Sequence, residues 1–434
     1  VNSTSARARR LRAVTALALV AALLPWTRAD ADPAGDVLGE AATVESSTDP
    51  EDPTPLTAGI WRTELQEAIS SAQQFTYART IRGSSVHVSA FGLLDPEDGV
   101  DLGVLAGATE CGSDTIDADT SGSWAQVPVG TYVSVADDDA NNPCMTAKNL
   151  AITLRRSADS TTDGPLPVLI KVVEEAPLDD PDDATDQGDL PPAPSTDETI
   201  VLPAPGDVRR VDEPGSGFDD ATEGAGTTSS ALEAGEVHFY RVQVGWGQTV
   251  AARVDVEPLP KPDPDSYVSS GPQLRMSVVN PLRARVASNL LDTDIDGAVS
   301  YENDDGTAEP LTLSTGLGPV VWRGRLSGEI SYLPGEHWIL VSRAAAGDAE
   351  EPGEIPYTVT IEVQGQVSGA PVYLEREPGF VVRAGSRSGN ASGGQTTTAA
   401  ESGWFTARRG LGAGLVAGGL VCLLLGAVQI RRSR

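Results

Sequence analysis

Val250-Ala251-Ala252-Arg253-Val254-Asp255-Val256 sets Val250, Ala252, Val254 and Val256 at alternate positions, with Arg253 and Asp255 between them. In an extended chain successive side chains point to opposite faces, so this stretch is a strand with one apolar and one polar side. The same period of two runs through Leu274, Met276 and Val278. It returns at Tyr357, Val359, Ile361 and Val363, which alternate with Thr358, Thr360 and Glu362. Antiparallel strands with one wet face and Gly, Pro and Asp turns between them predict a β-sandwich or jelly roll over residues 211–373.

A second domain of the same kind is expected upstream, over residues 56–175. There Val86, Val88 and Ala90 alternate with His87 and Ser89, and Leu150, Ile152 and Leu154 with Ala151 and Thr153. Val168, Ile170 and Val172 alternate with Leu169 and Lys171. By composition, residues 64–74 read as a short helix. The halves look distantly alike: Phe75, Tyr77, Ile81, Gly83 and Val86 resemble Phe239, Tyr240, Val244, Gly247 and Val250, allowing one or two gaps. That is a weak internal repeat, two modules of one kind.

Residues 176–210 should join the two as an acidic, Pro-rich linker. Asp179, Asp180, Asp182, Asp183, Asp186 and Asp189 lie among Pro177, Pro181, Pro191, Pro192 and Pro194. Like charges and prolines keep such a segment extended and solvated. Residues 32–55 are rich in Asp, Glu, Pro, Ser and Thr, and are expected to be a disordered lead-in.

The ends carry targeting signals. Arg7, Arg9, Arg10 and Arg12 precede an apolar stretch at 13–24 and the small-x-small site Ala29-Asp30-Ala31. Residues 1–31 therefore read as a secretory signal peptide, cleaved after Ala31. Residues 411–430 are uncharged and apolar, and 20 helical residues rise about 30 Å, the thickness of a bilayer's hydrocarbon core. The expected layout is a flexible stalk at 374–409, a transmembrane helix at 410–430 and a cytoplasmic tail at 431–434, with the ectodomain outside. Gly410, Gly414, Gly418, Cys422 and Gly426 recur every four residues on one helix face. Small residues at that spacing let a second helix pack closely, in a homodimer or against a partner helix, though glycine is also ordinary in such helices.

Export brings an oxidising compartment, in which thiols pair. Cys111 and Cys144 are the only cysteines outside the anchor, and a disulfide between them is expected. A formal net charge of −31, from 62 acids against 31 bases, argues against binding a polyanion such as nucleic acid.

The stretch Gly235-Glu236-Val237-His238-Phe239-Tyr240-Arg241-Val242, then Gly247 and an alternating strand, resembles the pre-peptidase C-terminal module. That resemblance implies a small β-sandwich of the kind found beside secreted bacterial peptidases. The module usually closes on a Gly-x-Tyr-aromatic strand; here Gly335-Glu336-His337-Trp338 occupies that place, with His337 where Tyr is usual. Gly215-Ser216-Gly217-Phe218-Asp219-Asp220-Ala221 and Trp246-Gly247-Gln248 also resemble exported, membrane-anchored actinobacterial proteins. This second resemblance implies location and fold, and supplies no reaction.

The remaining motifs are weak in chemistry. Asp292-x-Asp294-x-Asp296-Gly297 matches the first half of an EF-hand-like calcium loop, but Asn303 stands where the bidentate Glu belongs. The expected reading is a solvated acidic turn, with weak calcium binding as the alternative. His87, His238 and His337 each fall on an expected strand, and a zinc or acid–base site would need them to converge. No Gly-x-Ser-x-Gly elbow, phosphate loop or dinucleotide fingerprint occurs. The expectation is a non-enzymatic binding or structural protein without cofactor or metal, partnered with an envelope protein or polymer. The alternative is an enzyme accessory or peptidase-associated module.

Overall fold

The computed structural model describes residues 37–374 other than 67–70, 95–97, 118–123, 125–126, 137–140, 158–163, 180–189, 193–199, 261–269, 286–293, 303–307, 327–331 and 346–352. The residues read as a signal peptide (1–31), as a stalk beyond Leu374 and as a tail (431–434), and the run at 411–430 with Gly410, Gly414, Gly418, Cys422 and Gly426, lie outside the described residues. Among the described residues no helix is long and apolar enough to cross a membrane.

Among the described residues twenty strands form. The first ten are β1 (Ala42–Thr43), β2 (Thr54–Leu56), β3 (Gly59–Leu65), β4 (Gln73–Ala78), β5 (Ser85–Leu93), β6 (Gly99–Ala106), β7 (Thr109–Asp117), β8 (Pro128–Val135), β9 (Asn149–Arg156) and β10 (Leu166–Glu175). The next are β11 (Val208–Arg210), β12 (Thr222–Glu223), β13 (Gly226–Leu232), β14 (Val237–Val244), β15 (Thr249–Val256), β16 (Ser270–Val279), β17 (Asp294–Ser300), β18 (Leu311–Leu317), β19 (Gly335–Arg343) and β20 (Ile355–Gln364). One helical turn, α1 (Pro143–Thr146), precedes β9.

The strands make four five-stranded sheets. The first half is a sandwich of β1-β3-β10-β5-β8 on β2-β4-β9-β6-β7, and the second is β11-β13-β20-β15-β18 on β12-β14-β19-β16-β17. Adding ten to each strand number converts one half into the other, so the two share one topology. Each opens with two short strands paired in parallel, and the rest of each ladder is antiparallel. Gly83 and Gly247, matched in the sequence, turn the chain into β5 and β15 at φ of 74° and 73°. That left-handed conformation is one glycine adopts without a Cβ clash.

One matched pair is offset. Phe75 faces the core of the first sandwich, whereas Phe239 faces away from the core of the second and into a cluster between the halves. In the second half Tyr240 is the inward residue.

The halves pack face to face through the sheets that hold β5 and β10 and that hold β14 and β19. Phe91 and Leu169 meet Phe239, Trp338 and Leu340 there. The expected wet faces of β5 and β10 are therefore covered: His87, Ser89 and Leu169 are wholly buried. A sheet covered on both sides needs no polar side, and β5 and β19 are buried almost throughout. The outer strands β4, β6 and β9 keep the alternation of one wet face.

Two expectations give way. Glu64 and Leu65 end β3 and Gln73 and Gln74 begin β4, so the ends of the expected helix are strand. The Glu, Leu and Gln there favour helix, but pairing of Glu64 with Pro167 and of Gln74 with Thr153 overrides that preference. The expected disordered lead-in is ordered from residue 37: β1 pairs with β3, β2 pairs with β4, and Leu38 is buried between the halves. Its few apolar residues suffice because they add to sheets and a cluster built by others. Of the acidic motif, Asp294 and Asp296 lie in β17, and Asp292 lies outside the described residues.

A tongue from the second half reaches into the first. After β16 the chain turns at Asn280, whose side-chain oxygen accepts from Leu282 N at 2.9 Å and Ala284 N at 3.1 Å. At its tip Leu282 O accepts from Ser89 Oγ at 2.6 Å, and Pro281 O accepts from the Lys171 ammonium. Arg283, at φ 61°, lays its guanidinium 4.6 Å from the Phe218 ring centre and donates to Leu38 O. A Cβ on Gly130 would come within 2.7 Å of Arg283 O, so β8 must carry glycine where the tongue crosses it.

Candidate functional site

Two places gather functional side chains: a buried seam between the sandwiches and an open groove on the second. The seam centres on the last two residues of β10, which face opposite ways. Glu174 turns into the first sandwich and accepts from Tyr77 Oη at 2.7 Å, Ser84 Oγ at 2.6 Å, and the amides of Thr80 and Ile81 at 3.0 Å. Burial would raise its pKa, but the donors from Ser84, Thr80, Ile81 and Tyr77 prevail and hold it below the usual carboxylate value.

Glu175 turns into the seam. Arg325, on the short helical turn Trp322–Leu326, grips it with both terminal nitrogens, Nη2 at 3.0 Å from Oε1. His87 Nε2 lies 3.1 Å from Glu175 Oε2, and Tyr373 donates its hydroxyl to the same carboxylate. The Arg325 guanidinium stacks 4.2 Å above Trp322, and its Nε donates to Trp322 O at 2.9 Å. Both Arg325 and His87 have fully buried side chains. Burial would raise the Glu175 pKa; the Arg325 charge, then the hydrogen bonds from His87 and Arg325, pull it well below the usual range. Burial lowers His87, against the pull of Glu175, so the ring is held towards neutrality. Tyr332 Oη bonds Ser134 Oγ, which lies 2.9 Å from His87 Nδ1.

Ser134, His87 and Glu175 thus form a serine–histidine–carboxylate line that the sequence did not suggest. Its members lie on β8, β5 and β10, neighbours only in the folded sheet. The line has the composition of a hydrolytic triad. Its surroundings oppose that use: Arg325 neutralises the carboxylate, Tyr332 occupies the serine hydroxyl, and the imidazole is sealed. A nucleophile must be free to meet a substrate carbonyl.

The groove, of about 940 Å³, opens where β20 begins and β15 ends. Glu233, Glu236, Asp255, Glu257 and Glu354 line it, with Tyr357 on its wall. Arg210, the basic residue of the lining, is engaged by Asp212 at 2.7 Å. Tyr357 Oη lies 2.6 Å from His238 Nδ1 and 2.5 Å from Tyr240 Oη, and His238 Nε2 lies 2.9 Å from Glu236. Burial lowers the His238 pKa, against the pull of Glu236.

The residues singled out in the sequence fare unequally. Cys111 and Cys144 form the expected disulfide, tying β7 to α1. The histidines do not converge: His87 is in the seam, His238 behind the groove, and His337 in β19 beside Gly335 O at 3.2 Å. Burial pulls His337 down to about 4. Asp296 sits 3.6 Å from Arg275. Among the described residues no three His, Cys, Asp or Glu side chains are placed to hold a metal ion.

No protein-family model matches the chain, and no curated protein matches it. Among solved structures it is similar to the ANX1 ectodomain from Arabidopsis thaliana, at 11% identity over 74% of this chain and 92% of that one, with a TM-score of 0.17. It is similar also to the CUB1-EGF-CUB2 domains of rat MASP-1, at 10% identity over 73% and 99%, TM-score 0.17. A protein from Burkholderia cenocepacia stands at 13% identity over 68% and 78%, TM-score 0.16. TM-scores this low carry no argument about function.

Proposed function

We propose that this chain is a non-enzymatic, extracytoplasmic binding protein of the cell envelope, held to the membrane by residues 411–430, with its two sandwiches acting as one rigid head. The seam carries this reading. The carboxylate, guanidinium, imidazole and hydroxyls that could serve chemistry are spent on one another, joining two domains rather than facing a cleft. A rigid head suits recognition, because less freedom is lost when a partner docks. The groove is the concave surface on which to look for that partner, and its carboxylates favour a cationic segment of an envelope protein or polymer.

The runner-up, an enzyme or peptidase-associated accessory, has one observation in its favour, the Ser134–His87–Glu175 line. Two measurements on the full chain separate the readings. A photo-crosslinking residue at Thr358, in the groove, is expected to trap a discrete adduct in intact cells, lost when Glu233 and Glu257 become Gln. A fluorophosphonate probe is expected to leave Ser134 unlabelled. Labelling that disappears in Ser134→Ala would overturn the binding reading in favour of hydrolysis.

A further inference from the structure

The two sandwiches pair their central strands in the same register, so positions in one have counterparts in the other. Leu65 lies opposite Leu166 at the start of β10, and Leu232 opposite Ile355 at the start of β20. Glu175 lies opposite Ser85 at the end of β10, and Gln364 opposite Thr249 at the end of β20. The row Arg62, Leu169, Phe91 and Gly130 across the first sandwich therefore corresponds to Ser229, Thr358, Asp255 and Thr312 across the second.

The first row is a docking floor. Leu169 and Phe91 are buried in the seam. The Phe218 ring meets the Phe91 ring edge-on at 6.0 Å, and the Arg283 guanidinium lies 5.6 Å from it. Both come from loops of the second sandwich: Phe218 precedes β12, and Arg283 belongs to the tongue after β16. The second row is open. Ser229, Thr358 and Asp255 line the groove, and no residue of the row is buried. Thr and Asp stand where the first row has Leu and Phe, and two residues further on Glu257 replaces Leu93.

Asp255 is set to accept a donor from outside. Its Oδ1 takes Arg253 Nε at 2.8 Å, Arg253 Nη2 at 2.6 Å and Thr312 Oγ1 at 2.8 Å. Those three donors fix the carboxylate, and among the described residues none goes to Oδ2, which keeps its own lone pairs. The cations at hand are spoken for, Arg210 by Asp212 and Arg253 by Asp255. Glu257 and Glu354, both exposed, form no ion pair among the described residues.

We propose that the groove is the vacant counterpart of that docking floor and receives an arginine-tipped loop from a β-sandwich on another polypeptide; the inference rests on the binding reading given under Proposed function and narrows its partner. Two observations select this occupant. In the first copy the row is covered by loops of a neighbouring sandwich, with a guanidinium over Phe91. The same approach over the second row brings a guanidinium to Asp255, where its planar fork meets a carboxylate instead of a ring. Charge complementarity also disfavours a second copy of this chain, whose formal net charge is −31 and whose own tongue is held by Ser89 and Lys171. One difference sets the direction of entry. Thr312 stands where the first row has Gly130, so a backbone cannot cross the edge strand β18 as the tongue crosses β8. The loop enters on the β11 side, where residues 210–213 form the wall.

The test uses the full chain in detergent micelles and three peptides: the tongue sequence, residues 279–285, cyclised head to tail; the same sequence left linear; and linear heptalysine. The tongue is the loop that already lies on the counterpart sheet, and it carries Arg283 and Arg285. The cyclic peptide is expected to bind about ten-fold more tightly than the linear one, because a closed loop loses less freedom. It should crosslink to a photo-reactive residue at position 358, and its affinity should fall about ten-fold when the exposed Glu257 and Glu354 become Gln. Equal affinity for cyclic and linear peptides, or a preference for heptalysine, overturns the loop and leaves the groove as a general cation site. Cyclic binding that is unchanged in the Gln variant places the peptide elsewhere and overturns the loop as well. If none of the three binds, the loop and the cationic groove fall together. Crosslinks between two chains at position 358 that grow with protein concentration assign the groove to a second copy and also overturn the proposal.

Discussion

The two sandwiches share one strand order and are held by different devices. The first is stapled by Cys111–Cys144, across a sequence separation of 33, and saturates the Glu174 carboxylate with hydroxyl and amide donors. The second, among its described residues, holds no disulfide and carries instead the Tyr240–Tyr357–His238 chain behind its groove. It also supplies the tongue and Arg325, which both grip the first. Apolar period sets the sheets, and it is common to both halves. Turns and edges lie outside that period and are free to take up separate tasks. The seam is where the copies stop being equivalent, because each offers a different sheet to the other.

The sharpest way to break the comparison is to cut the seam. Arg325→Met leaves Glu175 buried without its charged partner and should cost 3–5 kcal/mol, roughly, the usual penalty for half of a buried ion pair. Replacing both, as Glu175→Leu with Arg325→Met, should recover most of that loss, because no stranded charge remains. Unfolding of two coupled domains need not be two-state, so each half should be followed by its own amide exchange. Equal protection in the single and double variants would show that the ion pair does not hold the halves together.

The disulfide sharpens the comparison from the other side. Cys111→Ser with Cys144→Ser should destabilise the first sandwich by about 3–4 kcal/mol, the loop-closure value for this separation. Exchange should quicken in β6, β7 and β9 and stay unchanged in β16, β19 and β20. A loss spread evenly over both halves would mean that the seam, and not each core, sets the cooperative unit.

What the sequence revealed follows the same division. Residues 250–256 showed their strand directly, since Arg253 and Asp255 stay at the solvent side while Val254 and Val256 are buried. The repeat was legible through Gly83 and Gly247, because a positive φ demands the same residue in both copies. The second buried face was hidden. His87, Ser89 and Lys171 look like a wet side, and nothing local says that another domain covers them. Residues 64–74 misled because composition cannot report pairing with Pro167 or Thr153, roughly 100 and 80 residues away. The seam was least legible: Ser134, Glu175, Arg325 and Tyr373 are far apart in the chain, and no spacing unites them. The one available hint was the unbroken apolar run Trp338-Ile339-Leu340-Val341, which has no side left for water.

The smallest expected effect comes from acid, and it separates the second core from the seam. His337 lies in β19 on the side that faces its own sandwich, and its pKa is pulled from 6.5 to about 4 by burial. A base whose folded pKa is depressed adds nothing to instability above pH 6.5, where both states are neutral. Below that, the unfolded chain takes up a proton that the folded chain refuses, so stability falls as pH drops from 6.5 to about 4 and then levels off. The total is roughly 3 kcal/mol at 1.36 kcal/mol per pH unit. Glu174 and Glu175, lowered from 4.5, lose their contribution only below that value, which leaves the window between 6.5 and 4.5 to the histidines. His337→Leu should therefore reduce the pH dependence of β19 and β20 exchange in this window, leaving the part that comes from His238, which burial also lowers and which bonds Tyr357 of β20. The seam's own loss should persist, since burial also lowers His87 and that ring is still present. If the slope at β20 survived His337→Leu undiminished but fell in His238→Leu, the acid sensitivity would belong to the histidine behind the groove; if it survived both, it would belong to the seam, and the two cores would titrate as one.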